Sequence, residues 1–165
     1  MAGSPRIELR LATERDVPAI LALIQGLAAY ERLADEVTAT EPALRESLFG
    51  ATPRAEVVMA LAEGEPAGFA LWFHNYSTFL ARPGLYLEDL FVRPEFRGRG
   101  IGRMLLTHLA GVAVARGCGR MEWSVLDWNA DAIRFYERLG ARRMNEWHLY
   151  RVTGPALAAL ASGKD

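Results

Sequence analysis

Apolar and polar positions recur along the chain with a period that changes several times, and each change marks the edge of an element. Ile7-Glu8-Leu9-Arg10-Leu11 alternates with period two, as a half-buried strand does. From there the spacing lengthens: Val17, Ile20, Leu21, Ile24 and Leu27 return every third or fourth residue, which predicts a helix, and Thr13 with Asp16 ahead of it has the form of a capping box. Pro18 is compatible with that helix only near its start. The polar stretch Glu31 to Thr40 reads as a loop, and Glu41 to Leu48 as a short second helix. Glu56 to Ala62 and Ala67 to Tyr76 return to strand patterning, joined through Glu63-Gly64-Glu65-Pro66 as a hairpin turn.

The run Leu85-Tyr86-Leu87-Glu88-Asp89-Leu90-Phe91-Val92 predicts a further strand with two carboxylates set into its middle. Behind it Ile101, Leu105, Leu109, Val112 and Ala113 form one helical stripe that ends at Gly117. Met121 to Leu126 predicts another strand. Ala130 to Leu139 predicts a helix with Asn129 as its N-cap and Gly140 as its stop. Short strands are expected near Ala141 to Met144 and Trp147 to Val152, then a small C-terminal helix opened by Pro155.

The junction between the acidic strand and the following helix carries the most chemistry. Arg97-Gly98-Arg99-Gly100-Ile101-Gly102 puts three glycines and flanking arginines where a helix begins. The first N–H groups of a helix lack intrahelical partners and sit at the positive end of its dipole, so this end suits an anion. Charged hydrogen bonds from Arg97, Arg99 and Arg103 to phosphate would strengthen the fit. The loop is no P-loop, because it lacks the Gly-Lys-Ser/Thr ending, and no dinucleotide fingerprint, because position 103 is arginine where that motif needs its third glycine. On glycine spacing alone, a cofactor site and an ordinary strand-to-helix turn remain equally open.

Composition narrows the classes further. At 165 residues, with 51% hydrophobic positions, the chain suits one globular domain with a substantial core. A formal charge of -1 argues against nucleic acid as a partner, since the arginines gather around one loop instead of forming a basic face. Arg103 and His108 interrupt the best apolar run, so no membrane span is expected, and Met1 to Arg6 does not begin a signal peptide, which points to a cytoplasmic protein. One cysteine, Cys118, and three histidines give neither an internal disulfide nor a metal site.

Taken together, the glycine loop, the acidic strand and the Asn129 to Tyr136 helix resemble the GNAT acetyltransferase superfamily, whose acetyl-coenzyme A motif is matched by Arg97-x-x-Gly100-x-Gly102. Leu27-Ala28-Ala29-Tyr30-Glu31, Tyr86-Leu87-Glu88-Asp89, and Trp128-Asn129 with Phe135-Tyr136 extend the likeness to the spermidine/spermine acetyltransferase family. Tyr76-Ser77-Thr78, Gly117-Cys118 and Val125-Leu126-Asp127-Trp128-Asn129 are similar to its thialysine Nε-acetyltransferase branch, although Phe79 stands where that branch has tryptophan. The resemblance implies an α/β (α+β) GNAT fold over 1–165 as one domain, with a core at about 7–152. Its central sheet would be mixed but mostly antiparallel, with six to seven strands flanked by about four helices and splayed at the central strand.

It also implies roles. Acetyl-coenzyme A would be the cosubstrate and no metal would take part. Backbone groups of Leu90, Phe91 and Val92 would pair with the pantetheine arm, residues from Arg97 and Gly98 through Arg99, Gly100, Ile101 and Gly102 to Arg103 would hold the pyrophosphate, and Asn129, Ala132 and Tyr136 would complete the cofactor site. Glu88 would accept the amine's proton, directly or through water, and Tyr136 would protonate the departing thiolate. A strand of regular pleat sends Glu88 and Asp89 to opposite faces unless a bulge intervenes, and the resemblance implies such a bulge. Tyr30, Glu31, Glu88 and Asp89 would make an acidic, partly aromatic pocket for a small cationic amine. Polyamines, thialysine and lysine-like amines all fit that description. A homodimer is implied as well. Two alternatives stay open at this point: a protein or peptide acetyltransferase of the same fold, and a non-catalytic acetyl-coenzyme A binding module.

Overall fold

The computed structural model describes residues 5–163. The signal-peptide reading rests chiefly on Met1 to Ser4, which lie outside the described residues. The chain divides into two compact units, Met1–Ser124 and Val125–Asp165.

The first unit is a five-stranded sheet in sequence order with helices on both faces. Its strands are β1 (Ile7–Leu11), β2 (Glu56–Ala62), β3 (Glu65–Ser77), β4 (Arg82–Val92) and β5 (Met121–Trp123). β1 to β4 pair antiparallel, and β5 joins β4 in parallel. The β2–β3 hairpin turns on Glu63 and Gly64, whose φ values of 50° and 84° give the primed two-residue turn that matches strand twist.

Helix α1 (Val17–Tyr30) covers one face. Its Ile20 and Leu23 pack with Val57, Met59, Phe69 and Phe91 in a buried cluster. Entry to α1 is fixed by the capping box expected from Thr13 and Asp16: the Thr13 N–H donates to Asp16 Oδ2 at 2.7 Å, and Pro18 sits in the first turn. Helix α2 (Glu41–Phe49) follows, with Thr40 Oγ1 accepting from the Ala43 N–H. On the other face lies α3 (Ile101–Ala115), burying Ile101, Leu105, Leu106, Leu109 and Ala113, close to the stripe read from the sequence.

The second unit contains α4 (Ala130–Arg138) and α5 (Gly154–Ala161). Asn129 caps α4 as expected, its Oδ1 accepting from the Ala132 N–H at 3.3 Å. The strands expected at Ala141 to Met144 and Trp147 to Val152 do not form among the described residues, and β5 ends at Trp123 rather than Leu126. Among the described residues the sheet therefore has five strands, not six to seven, and the α-helices number five. A strand needs a neighbour to take its backbone groups, and apolar spacing alone does not supply one. Trp147, Leu149 and Tyr150 accordingly stand exposed, at 74%, 79% and 90%. Among the described residues no helix is long and apolar enough to cross a membrane.

Candidate active site

The site is organised by an irregularity in β4. Along most of the β3–β4 ladder the partners advance one for one, but Leu71 faces Asp89 while Trp72 faces Leu87, so Glu88 is left over as a bulge. The bulge changes which face each side chain meets. Asp89 lies opposite Leu71, which packs with Phe69 and Phe91 on the α1 face. Leu87 lies opposite Trp72, whose ring meets His108 of α3 edge-on at 6.4 Å on the other face. Two residues one position apart from Glu88 thus look to opposite sides of the sheet. Glu88 itself projects into solvent.

The same place is where the sheet comes apart. β5 pairs with β4 only from Leu85 to Leu87, opposite Met121 to Trp123, and among the described residues no strand continues along the outer edge of β4 from Glu88 to Val92. The splay expected at the central strand is present. Which backbone groups it offers follows from the ladder: the Arg93 N–H donates to Ala67 O at 2.9 Å, which makes Val92 and Gly68 a non-hydrogen-bonded pair. Alternation then turns the N–H and C=O of Leu90 and Val92 outward and those of Phe91 toward Phe69. Phe91, 6% exposed, also buries its ring in the core. Phe91, one of the three residues expected beside a pantetheine arm, thus directs its backbone toward β3 and its side chain into the core. Leu90 and Val92 are the residues that present backbone to the gap.

Past Val92 the chain makes a 3-10 turn over Pro94–Phe96 and reaches the glycine loop. Gly98 and Gly100 have φ of 73° and 77°, left-handed values that L side chains rarely adopt, and a Cβ at either would meet nothing within 4 Å. Glycine is thus required there by backbone conformation, and the space above the loop is open. Gly100 is the N-cap of α3, and the first intrahelical bond runs from the Met104 N–H to Gly100 O. The N–H groups of Ile101, Gly102 and Arg103 accordingly precede it without intrahelical acceptors, with no acidic residue in the first turn to compete for them. Exposed Arg99 and Arg103 flank this end. Backbone N–H groups, guanidinium groups and the positive end of a helix dipole form a donor set suited to a diphosphate.

Arg97 is placed differently from Arg99 and Arg103. Its Nε donates to the outward carbonyl of Val92 at 2.9 Å, and its guanidinium lies 4.8 Å from the Tyr30 ring centre and 5.6 Å from that of Phe91. It braces the end of β4 against the end of α1. Phe96, for which the sequence raised no expectation, lies beneath both Arg93 at 5.2 Å and Arg99 at 5.5 Å. An aromatic residue between two arginines in a turn is the signal that would have found it.

The expected acceptor residues gather on the α1 face. Tyr30 ends α1 and Glu31 caps it. Burial raises the Glu31 carboxyl above its ordinary range. Asp89 is pushed from 3.8 up to about 6, first by burial and then by the negative charges of Glu88 and Glu31. Asp89 therefore feels both Glu88 and Glu31 through space. In the second unit Tyr136 is half-buried beside Phe135, with ring centres 5.5 Å apart. It lies two turns along α4 from Asn129, whose cap leaves it buried; Ala132 is half-buried in the first turn.

Comparison with known proteins agrees with this geometry. Residues 24–141 match the acetyltransferase (GNAT) family. The thialysine N-epsilon-acetyltransferase of Bos taurus is 42% identical, over 94% of this chain and 97% of its own. The L-ornithine N5-acetyltransferase NATA1 of Arabidopsis thaliana is 38% identical, over 92% of this chain and 86% of its own. Among solved structures, an integron cassette protein from V. cholerae superposes with a TM-score of 0.80 at 28% identity, covering 94% of this chain and 97% of that one. With a family match over most of the chain, relatives of nearly equal length and a sheet that opens at the motif, this chain belongs to the GNAT acetyltransferase family.

Proposed function

We propose that this protein moves an acetyl group from acetyl-coenzyme A to a primary amine of a small cationic substrate, by direct transfer in a ternary complex. The observation that carries the reading is the open edge of β4. It runs from three carboxylates at one end to an anion-binding helix start at the other, so a thioester carrier laid along it would bring its acyl end to an acidic pocket. Pantetheine amides would add to that edge as a strand does, through Leu90 and Val92. The diphosphate would rest on Gly98 to Arg103.

Three demands of the chemistry then find residues. The ammonium must lose a proton, because an alkylammonium with a pKa of about 10 has no lone pair with which to attack. The carboxylates at the bulge receive it, where the sequence pointed to Glu88. The outward Leu90 N–H is aimed where the oxyanion of the tetrahedral intermediate would form. By resemblance Tyr136 donates to the coenzyme A thiolate, and Asn129 and Ala132 contact the cofactor. Tyr30 and Glu31 line the amine side. The relatives named for thialysine and for ornithine support an amino acid with a side-chain amine as the acceptor; polyamines share its charge. The exposed Trp147, Leu149 and Tyr150 support a homodimer, since an apolar patch of this kind is commonly covered by a partner.

The decisive experiment is coenzyme A release from acetyl-coenzyme A with thialysine, ornithine, lysine, spermidine and an N-terminal peptide. Release with the small amines and none with the peptide is expected; release with the peptide alone would turn the reading to a protein acetyltransferase. Arg99→Ala should weaken acetyl-coenzyme A binding about tenfold by calorimetry while kcat changes little. Tyr136→Phe should lower kcat at least tenfold with cofactor affinity nearly unchanged.

A further inference from the structure

The two carboxylates of β4 are neighbours in sequence and opposites in surroundings, and acetyl transfer needs one group for the proton and negative charge for the cation. Glu88 occupies the bulge and stands in water. Asp89 is half-buried on the α1 face, opposite Leu71, on the side where Tyr30 and Glu31 stand. It is also the residue next to Leu90, whose N–H turns into the gap.

We infer that Asp89, not Glu88, is the group that takes the proton from the acceptor amine, and that Glu88 acts from solvent to return that proton to water. The inference rests on the acetyl-transfer reading and deepens it. In the step, an N–H bond of the ammonium breaks and its proton passes to an Asp89 carboxylate oxygen, leaving the lone pair on nitrogen. That pair forms the C–N bond to the thioester carbonyl, the C–S bond breaks, and the thiolate takes up the second proton shed by the new C–N nitrogen. Asp89 then gives up its proton to water beside Glu88, and the products are the amide, the free thiol and one released proton.

The electrostatic surroundings support the assignment. Every ionised neighbour acting on Asp89 is negative: Glu88 from its own strand and Glu31 from the end of α1. β3 faces it with Leu71 and, on the same side, Phe69 and Phe73, none of which titrates. Tyr86 of β4 shares that face, with its hydroxyl bonded to Ser124. Arg32 follows Glu31 in sequence, and Arg97 lies over Tyr30 and Phe91 with its Nε given to Val92. Burial and two like charges hold Asp89 at about 6, close to the pH at which a base must be both ionised and avid for protons.

The test is the pH profile of kcat/KM for coenzyme A release with the best amine, in the wild-type chain and in Asp89→Asn, Glu88→Gln and Glu31→Gln. The wild type should lose rate below pH about 6. Asp89→Asn should lower kcat by about a hundredfold or more and abolish that acid limb, with acetyl-coenzyme A affinity unchanged. Glu88→Gln and Glu31→Gln should keep the limb and move its midpoint to lower pH, because each removes a negative neighbour. Those two shifts test the assignment even if Asp89→Asn fails to fold. A limb that survives in Asp89→Asn, one that vanishes in Glu88→Gln, or an Asp89→Asn effect confined to KM would overturn the assignment while leaving acetyl transfer intact. A wild-type chain that binds acetyl-coenzyme A yet acetylates no amine would overturn the functional reading itself.

Discussion

Two aspartates in one chain are driven in opposite directions, and the contrast separates a carboxylate that holds the fold from one that the fold tolerates. Asp16 receives Arg10 in a two-pronged pair, both bonds at 2.8 Å, as well as the Thr13 N–H at 2.7 Å. Its pKa falls from 3.8 to about 2, with the Arg10 bond the largest cause. Asp89, at the β4 bulge, meets burial and two more carboxylates, and rises to about 6. Burial raises both, and it is the largest cause at Asp89, whereas at Asp16 the Arg10 bond outweighs it. The two also differ in whether a cation is built in. At Asp16 it is part of the chain; at Asp89 the cationic substrate would supply it.

Stability should therefore respond to pH with opposite signs at the two sites. The folded pKa of Asp16 lies below its unfolded value, so its contribution is present above pH about 4 and is lost as pH falls toward 2, a matter of about 2 kcal/mol. The folded pKa of Asp89 lies above its unfolded value, so the fold prefers its protonated form, and ionisation lowers stability as pH rises from about 4 through 6.

The strongest way to break the contrast is to remove the paired member. Asp16→Ala should cost about 2–3 kcal/mol at pH 7 in urea unfolding, through loss of the ion pair and the cap together. A neutral result would show that Arg10 and Asp16 gain nothing over their hydrated forms. Next in size, Asp89→Asn should stabilise the chain by about 1–2 kcal/mol at pH 8, solvent screening having trimmed the full shift, and the gain should vanish below pH 4. A loss at pH 8 would mean that Asp89 has a cationic partner after all. Smallest, Arg45→Ala removes an exposed ion pair with Glu14, whose side chains are 43% and 60% accessible, and should change stability by less than about 0.5 kcal/mol.

Much of the first unit was legible because its signals are local. The period of Val17 to Leu27, the Thr13–Asp16 box and the Gly98–Gly100 turn each depend on residues within a turn or two of one another, as does the Asn129 cap in the second unit. The acidic strand was legible from its pattern, but its bulge only with the resemblance in hand, since spacing alone sends Glu88 and Asp89 to opposite faces without saying which one is buried. What failed to show was long-range. Whether Trp147 to Val152 finds a ladder partner, whether Phe91 turns its amide toward β3 or the gap, and whether Arg97 reaches Val92 are facts about other segments, and no window of sequence contains them.

The gap beside β4 has a cost that its occupant hides. An exposed strand edge with spare backbone donors and acceptors invites any extended chain to add itself, which is how sheets begin to aggregate. Here the vulnerable length is short, it starts at a kink, and two acids stand at that end. The kink and charges that suit an amine are also standing protection against stray polypeptide, so neutralising both acids should leave a protein that precipitates more readily when no carrier is bound.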